Sequence, residues 1–295
     1  RWGWNEVAPP LFQILALYFL LRGSRSQRAR DFALGGVFLG LGMYTYLASR
    51  MVVAVVVSYL IYRLIFERGF LRRTWAGLLV FWVAYTLTFA PLASTYLRDP
   101  FTFLNRSRQV SIAHDIEQTG GSYQPLIENI KRHALMFHVR GDGNARHNLP
   151  GAPMLDPVTG ILFLLGLGFA LWRWQDHRRM LLLLCLPITL AGGFLSTLNE
   201  GPQAYRTLAV VIAICLLAGD ALVRGLALLA VATAGGRRPI VPTWGRRAAV
   251  LPGLAVLAFG GWRNYDLFFN RQARDPAVYL AFSPAETAVA RTVTA

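Results

Sequence analysis

Arginines and tyrosines are the residues of this chain best placed to do chemistry. The turn Asn199-Glu200-Gly201-Pro202-Gln203-Ala204-Tyr205-Arg206 runs directly into an apolar block. An Arg at such a helix start suits a phosphate: the guanidinium takes oxyanions bidentately, and the first-turn N–H groups add partial positive charge. The same position also suits an interfacial Arg resting on ordinary lipid phosphate. A second set, Tyr44, Tyr46 and Arg50, brings polar tips to the end of another apolar block. Its tyrosines suit a sugar-binding cavity, and Arg50 can equally snorkel to headgroups. The third set lies in RGDGNARHNLPGAPMLD (140–156), where Arg140, Arg146, His147 and Asn148 offer anion and hydroxyl partners among Gly and Pro turns. Glu200 and Asp156 lie in the first and third of these sets. Four of the five histidines (His114, His133, His138, His147) fall between positions 98 and 156. His133 and His138 are five apart rather than the four that puts two ligands on one helix face, and no acid completes a set, so no metal site is expected.

These sets must be positioned by apolar helices. Eight stretches approach the roughly 20 residues that a membrane span needs: 5–21, 32–49, 51–66, 75–97, 157–172, 180–198, 207–230 and 248–265. The expected fold is an all-α polytopic bundle of about eight spans, with a long external loop containing short helices. Its divisions are 1–97 (four spans), 98–156 (external loop forming part of the site), 157–265 (four spans) and 266–295 (the start of a C-terminal external region). Within the loop, Leu126, Ile127, Ile130, Ala134 and Phe137 recur at helical spacing and predict a helix over 123–139. Gly35, Gly36, Gly40 and Gly42 mark a close helix–helix approach and not a nucleotide loop.

Composition supports a membrane protein. Hydrophobic residues make up 55% of the chain, the mean hydropathy is +0.41, and the apolar residues come in blocks. The formal net charge of +15 sits mainly in short Arg-rich connections between blocks (22–30, 63–73, 173–179, 224–247). That pattern reads as membrane orientation and anionic headgroups, not nucleic acid. By the positive-inside bias those connections face the cytoplasm, and the 98–156 loop and both ends lie outside. Trp2, Trp4, Trp75, Trp172, Trp174 and Trp262 fall near helix ends, as interface anchors do. Cys185 and Cys215 lie inside apolar blocks and form no disulfide or thiolate pattern.

With these residues in hand, the chain resembles the membrane-embedded glycosyltransferases of the GT-C class, and within it the bacterial relatives of the protein O-mannosyltransferase and aminoarabinose transferase family. The likeness lies in LGLGMYTYLASRM (39–51), VRGDGNARHNLPGAPMLDPVTG (139–160) and GPQAYR (201–206). Relatives often carry His where Gln203 stands. The resemblance implies a sugar transferred, with inversion, from a polyprenyl-phosphate-linked donor to a glycan, lipid or protein acceptor, without a cofactor. It also implies an acidic general base in a first external loop preceding Arg1, so the sequence reads as a fragment. Arg206 is then the foremost phosphate contact, with Tyr205, Arg140, Arg146, His147, Asn148, Tyr44, Tyr46 and Arg50 as further donor-binding candidates, and a supporting role is implied for Glu200 and Asp156. Competing readings are a transporter or flippase, and an O-antigen ligase or polymerase. A transporter would favour acids at mid-membrane, where Asp220 is the only clear case and pairs naturally with Arg224.

Overall fold

The computed structural model describes residues 8–233 and 243–282, with 284, 289 and 292. Trp2, Trp4, Arg237 and Arg238, and much of the expected C-terminal region beyond 282, lie outside the described residues. The elements in chain order are α1 (Pro9–Ser26), α2 (Ala29–Gly42), α3 (Arg50–Phe66), α4 (Phe70–Arg98), α5 (Pro100–Gln109), α6 (Ile112–Gln118), α7 (Gln124–Leu135), α8 (Pro157–Trp172), α9 (His177–Phe194), α10 (Val211–Thr233), α11 (Thr243–Tyr265) and α12 (Pro276–Ala281). Short 3-10 turns precede α3 (Leu47–Ser49) and α10 (Tyr205–Val210), and a π-helical stretch, Asp266–Arg271, follows α11. Among the described residues there is no strand.

The all-helical class is as expected, but the count of spans is corrected. Among the described residues, three helical stretches are long and apolar enough to cross a membrane: Leu47–Phe66, Phe70–Arg98 and Tyr205–Leu228. The other windows fall on helices too, yet these are shorter or more polar. At 1.5 Å per residue, the 14 residues of α2 reach only about 21 Å and the 16 of α8 about 24 Å, against a hydrocarbon core of about 30 Å. The 32–49 window overran the helix, which stops at Gly42 before a turn through Tyr46. α1 includes Arg22 and Arg25 in its 18 residues, and α9 opens on His177-Arg178-Arg179.

The chain divides into two compact units. The first comprises the described part of Arg1–Ile130 with Ala170–Ile214. In it α2 and α4 run parallel at close range. A Cβ on Gly36 would lie 2.1 Å from the Phe81 carbonyl, and one on Gly40 would lie 2.7 Å from Thr88 Cβ. Ring meets backbone lower down, where Phe32 packs on Gly77. The glycines therefore serve helix packing. α3 and α9 pair antiparallel: Tyr62 Oη donates to the carbonyls of Trp174 (3.2 Å) and Gln175 (3.0 Å) at one end, and Gly192 lies against Ala48 and Met51 at the other. The core of this unit includes Leu20, Phe32, Val55, Val56, Tyr59, Phe70 and Phe81.

This arrangement gathers three Arg-rich connections, 22–30, 63–73 and 173–179, at one end of the unit. There Arg63 is buried, donating to Tyr59 Oη (2.7 Å) and to Glu67 (2.5 Å), while Arg73 reaches Glu67 (2.5 Å). Burial alone would raise the Glu67 carboxyl, but the hydrogen bonds from Arg63 and Arg73 win and hold it below its ordinary value. Tyr59 Oη also meets His177 Nδ1 at 2.9 Å.

The second unit comprises Lys131–Phe169 and the described part of Cys215–Ala295. α8 and α10 touch backbone to backbone, where a Cβ on Gly166 would lie only 2.1 Å from the Leu217 carbonyl. Arg224 pairs with Asp220 at 2.7 Å and lies 3.9 Å over the Phe169 ring. Trp75, Trp172, Trp174 and Trp262 are all exposed.

Candidate functional site

At the end of the first unit away from its Arg-rich connections lies a cavity of about 390 Å³. Four segments distant in sequence build it. The turn before α3 contributes Tyr46, Ala48 and Arg50; the start of the long loop, Val110 and Ser111; the end of α9, Gly192, Leu195 and Ser196; the turn before α10, Tyr205 and Arg206.

Backbone and side-chain bonds fix these segments to one another. A lone antiparallel bridge joins Ser111 to Ser196, made by Ile112 N–H to the Leu195 carbonyl (2.9 Å) and Thr197 N–H to the Val110 carbonyl (2.9 Å). Asp115, on α6, accepts from Leu198 N–H at 2.7 Å. Asn129, on α7 and fully buried, donates through Nδ2 to the carbonyls of Phe194 (3.1 Å) and Ser196 (2.7 Å). Those two carbonyls belong to the end of α9, where a helix leaves acceptors without intrahelical donors. Thr45 Oγ1 and Ser49 Oγ hold the opposite wall at 2.9 Å. The Gly201–Pro202 peptide is cis.

Arg206 is the centre of the cavity's electrostatics. Its side chain is 5% exposed, and Nη2 donates to Glu200 Oε2 at 2.5 Å. Nη1 is buried and makes no hydrogen bond of ordinary geometry among the described residues, although the Tyr205 and Tyr46 hydroxyls lie close enough to act on the guanidinium. The guanidinium lies 5.7 Å from the Tyr205 ring centre, and the Tyr205 and Tyr46 rings sit 5.7 Å apart. Burial, reinforced by the Tyr205 hydroxyl, pushes the Tyr46 phenol above its ordinary value despite the opposing pull of Arg206. Tyr46 therefore stays protonated and can donate. Arg50 stacks 5.7 Å from the Tyr96 ring centre. The wall between these groups is apolar, with Leu47, Met51, Val110 and Leu195. A cationic spot with phenols on an apolar floor can bind an anionic, hydroxyl-bearing amphiphile. No family model, curated protein or solved structure matches the chain.

The structure brings Tyr46, Arg50, Tyr205 and Arg206 to this cavity, with Glu200 behind Arg206. Tyr44, 47% exposed, instead donates to the Thr88 carbonyl at 2.9 Å. Arg140, Arg146, His147, Asn148 and Asp156 belong to the second unit. Local bonds account for most of them. His147 Nδ1 meets buried Asp142 at 2.9 Å; Asn148 Nδ2 donates to the Ala152 carbonyl at 2.7 Å; Arg146 Nε donates to the Ala281 carbonyl at 2.6 Å. Arg140 lies against Gly151. Asp156 Oδ1 accepts from Val158 and Thr159 N–H, both at 3.0 Å, and so caps α8. Among the described residues no group of three His, Cys, Asp or Glu is gathered as metal ligands.

Sequence reasoning missed Asn129, Asp115, Ser111 and Gly192. Ser111, a helix-capping residue type just before an apolar one, marks the start of α6 and accepts from Ala113 N–H at 3.2 Å. Asn129 carries no local signal, since its partners are 65 and 67 residues away.

Proposed function

We propose that the chain belongs to a membrane glycosyltransferase that takes a sugar from a polyprenyl-phosphate-linked donor on the non-cytoplasmic side, and that the cavity around Arg206 receives the donor phosphate. One observation carries this reading: a buried guanidinium whose Nη1 makes no hydrogen bond of ordinary geometry among the described residues, opening on a cavity with phenol hydroxyls and an apolar floor. A phosphate oxygen on Nη1 satisfies a donor that is otherwise costly to bury. Tyr46 and Arg50 stand where they can contact the sugar or further phosphate oxygens, and the apolar residues suit the first isoprene units. The Arg-rich end of the first unit then faces the cytoplasm.

In an inverting displacement the acceptor hydroxyl attacks the anomeric carbon as the bond to the lipid phosphate breaks. Arg206 stabilises the negative charge that develops on the departing phosphate. Among the described residues the cavity lining includes no carboxylate, so the acceptor's base is not assigned to it.

The test is transfer of labelled sugar from polyprenyl-phosphate donors by the reconstituted protein, with Arg206→Ala and Arg206→Lys beside it. The expected result is a donor KM raised at least about tenfold in both variants, because Lys keeps the charge but not the planar fork. Unchanged donor affinity in Arg206→Ala removes the assignment.

A further inference from the structure

The second unit holds a cavity of its own, of about 440 Å³, between the segment that leads into α8 and the end of α11 with its π-helical continuation. Charge lines it unevenly. Asp266 and Arg271 pair at 2.9 Å, and Asn270 Nδ2 adds a bond to the same carboxylate at 3.1 Å, so that pair is internally neutralised. The π-helical turn is what brings these i and i+5 partners together, and such turns are frequent at functional sites. Two charges remain. Arg263 makes no hydrogen bond or close ion pair among the described residues, though its charge also acts on Asp266 at the next turn, so the group of Arg263, Asp266 and Arg271 keeps one net positive charge. Asp156 uses Oδ1 to cap α8 and leaves Oδ2 without a partner among them. Oδ2 lies 3.9 Å from where a Cβ on Gly260 would stand, and Arg263 is one helical turn, about 5 Å of rise, further along α11.

One cation and one anion that line the same cavity and form no ion pair with each other select against a simple anion. The pair favours a ligand carrying both signs. The rest of the wall is largely apolar, including Leu149, Pro153, Leu155, Ile161 and Leu267. Around the same helix end Trp262, Tyr265, Phe268 and Phe269 are about half exposed or more, the residue types that anchor at a membrane–water interface. We infer that this cavity binds the zwitterionic headgroup of an ethanolamine phospholipid, with Arg263 on the phosphate and Asp156 Oδ2 on the primary ammonium. A primary ammonium donates to the carboxylate, whereas a quaternary one has no N–H to give. This site is separate from the Arg206 cavity and does not rest on the transfer activity.

The test begins with the wild-type chain. After delipidation in detergent it is offered phosphatidylethanolamine, its N-methylated series up to phosphatidylcholine, and phosphatidylglycerol, and retained lipid is counted by native mass spectrometry. Phosphatidylethanolamine is expected to be held at least about tenfold more tightly than phosphatidylcholine, the worth of one charge-assisted hydrogen bond. Arg263→Gln, which leaves the Asp156 cap in place, is expected to lose that preference while melting like the wild type. A soluble arm with glycerophosphoethanolamine separates the sources: competition with the lipid supports a headgroup site, and binding of the soluble compound without lipid retention assigns the same chemistry to a water-soluble ligand, overturning the lipid assignment. Equal retention of all three lipids, tighter retention of phosphatidylglycerol, or a well-folded Arg263→Gln protein with unchanged preference overturns the inference.

Discussion

The fully buried amide of Asn129 and the glycine beside it, Gly201, form a pair whose coupling can be measured. Gly201 has φ −81° and ψ 141°, a conformation open to any residue, so the backbone does not require glycine. Contact does: a Cβ there would lie 2.1 Å from Asn129 Oδ1. Gly201→Ala must therefore push the amide off the Phe194 and Ser196 carbonyls that it holds at 3.1 and 2.7 Å. Each bond is worth about 1 kcal/mol net, and each carbonyl left buried without a donor costs about 1–3 kcal/mol. Either single variant, Gly201→Ala or Asn129→Ala, is thus expected to destabilise by about 2–4 kcal/mol. Once Asn129 is alanine the clash is gone, so Gly201→Ala should add less than about 0.5 kcal/mol, and the cycle should show a coupling of about 2–3 kcal/mol. Reversible unfolding by SDS in mixed micelles, followed by tryptophan emission, measures all four proteins. Additive single costs would refute the reasoning, because they would mean that the two residues act on the end of α9 independently.

Other outcomes follow from the same packing. Gly36→Ala drives a Cβ to 2.1 Å from the Phe81 carbonyl and is expected to cost about 1–3 kcal/mol in the same unfolding assay. Asp156→Ala removes the cap of α8 and should cost about 1 kcal/mol, while Asp156→Asn, which can still cap, should cost much less. The Glu67 carboxyl is held below its ordinary value, so in acid the unfolded chain takes up the proton first. Its stabilisation is present in full above the unfolded pKa of about 4.3 and is lost as pH falls through the lower folded value; Glu67→Gln should flatten that part of a stability–pH curve. For orientation, a cysteine placed at Asn144 in intact cells should react with an impermeant thiol reagent, and protection until lysis would reverse the proposed topology.

How much the sequence disclosed depends on the range of the interactions involved. Apolar blocks announce helices, so every window found one. A window average cannot see the helix end at Gly42 or the charged ends of α1 and α9, so fewer of the described helices qualify as spans than the eight windows suggest. Gly36 and Gly40 were legible as packing residues because small side chains at a four-residue spacing share one face. Tyr46, Arg50, Tyr205 and Arg206 stand at the edges of apolar blocks, where polar tips stand out. Arg146, His147 and Asn148 looked equally convergent, yet partners within the second unit engage all three. Asn129 was illegible, as were Arg263 and the partner-free oxygen of Asp156. Their meaning depends on which distant segments they face.

The parallel run of α2 beside α4 has a consequence for assembly. Parallel neighbours need a returning segment between them, and α3 is that segment, yet its principal neighbour is α9, more than a hundred residues further on. A chain halted before His177 can already lock glycines 36 and 40 onto α4. It would leave Met51 without Gly192 and the Tyr59 hydroxyl without His177, a bare face of α3 for lipid or a chaperone to shield until the late partner emerges.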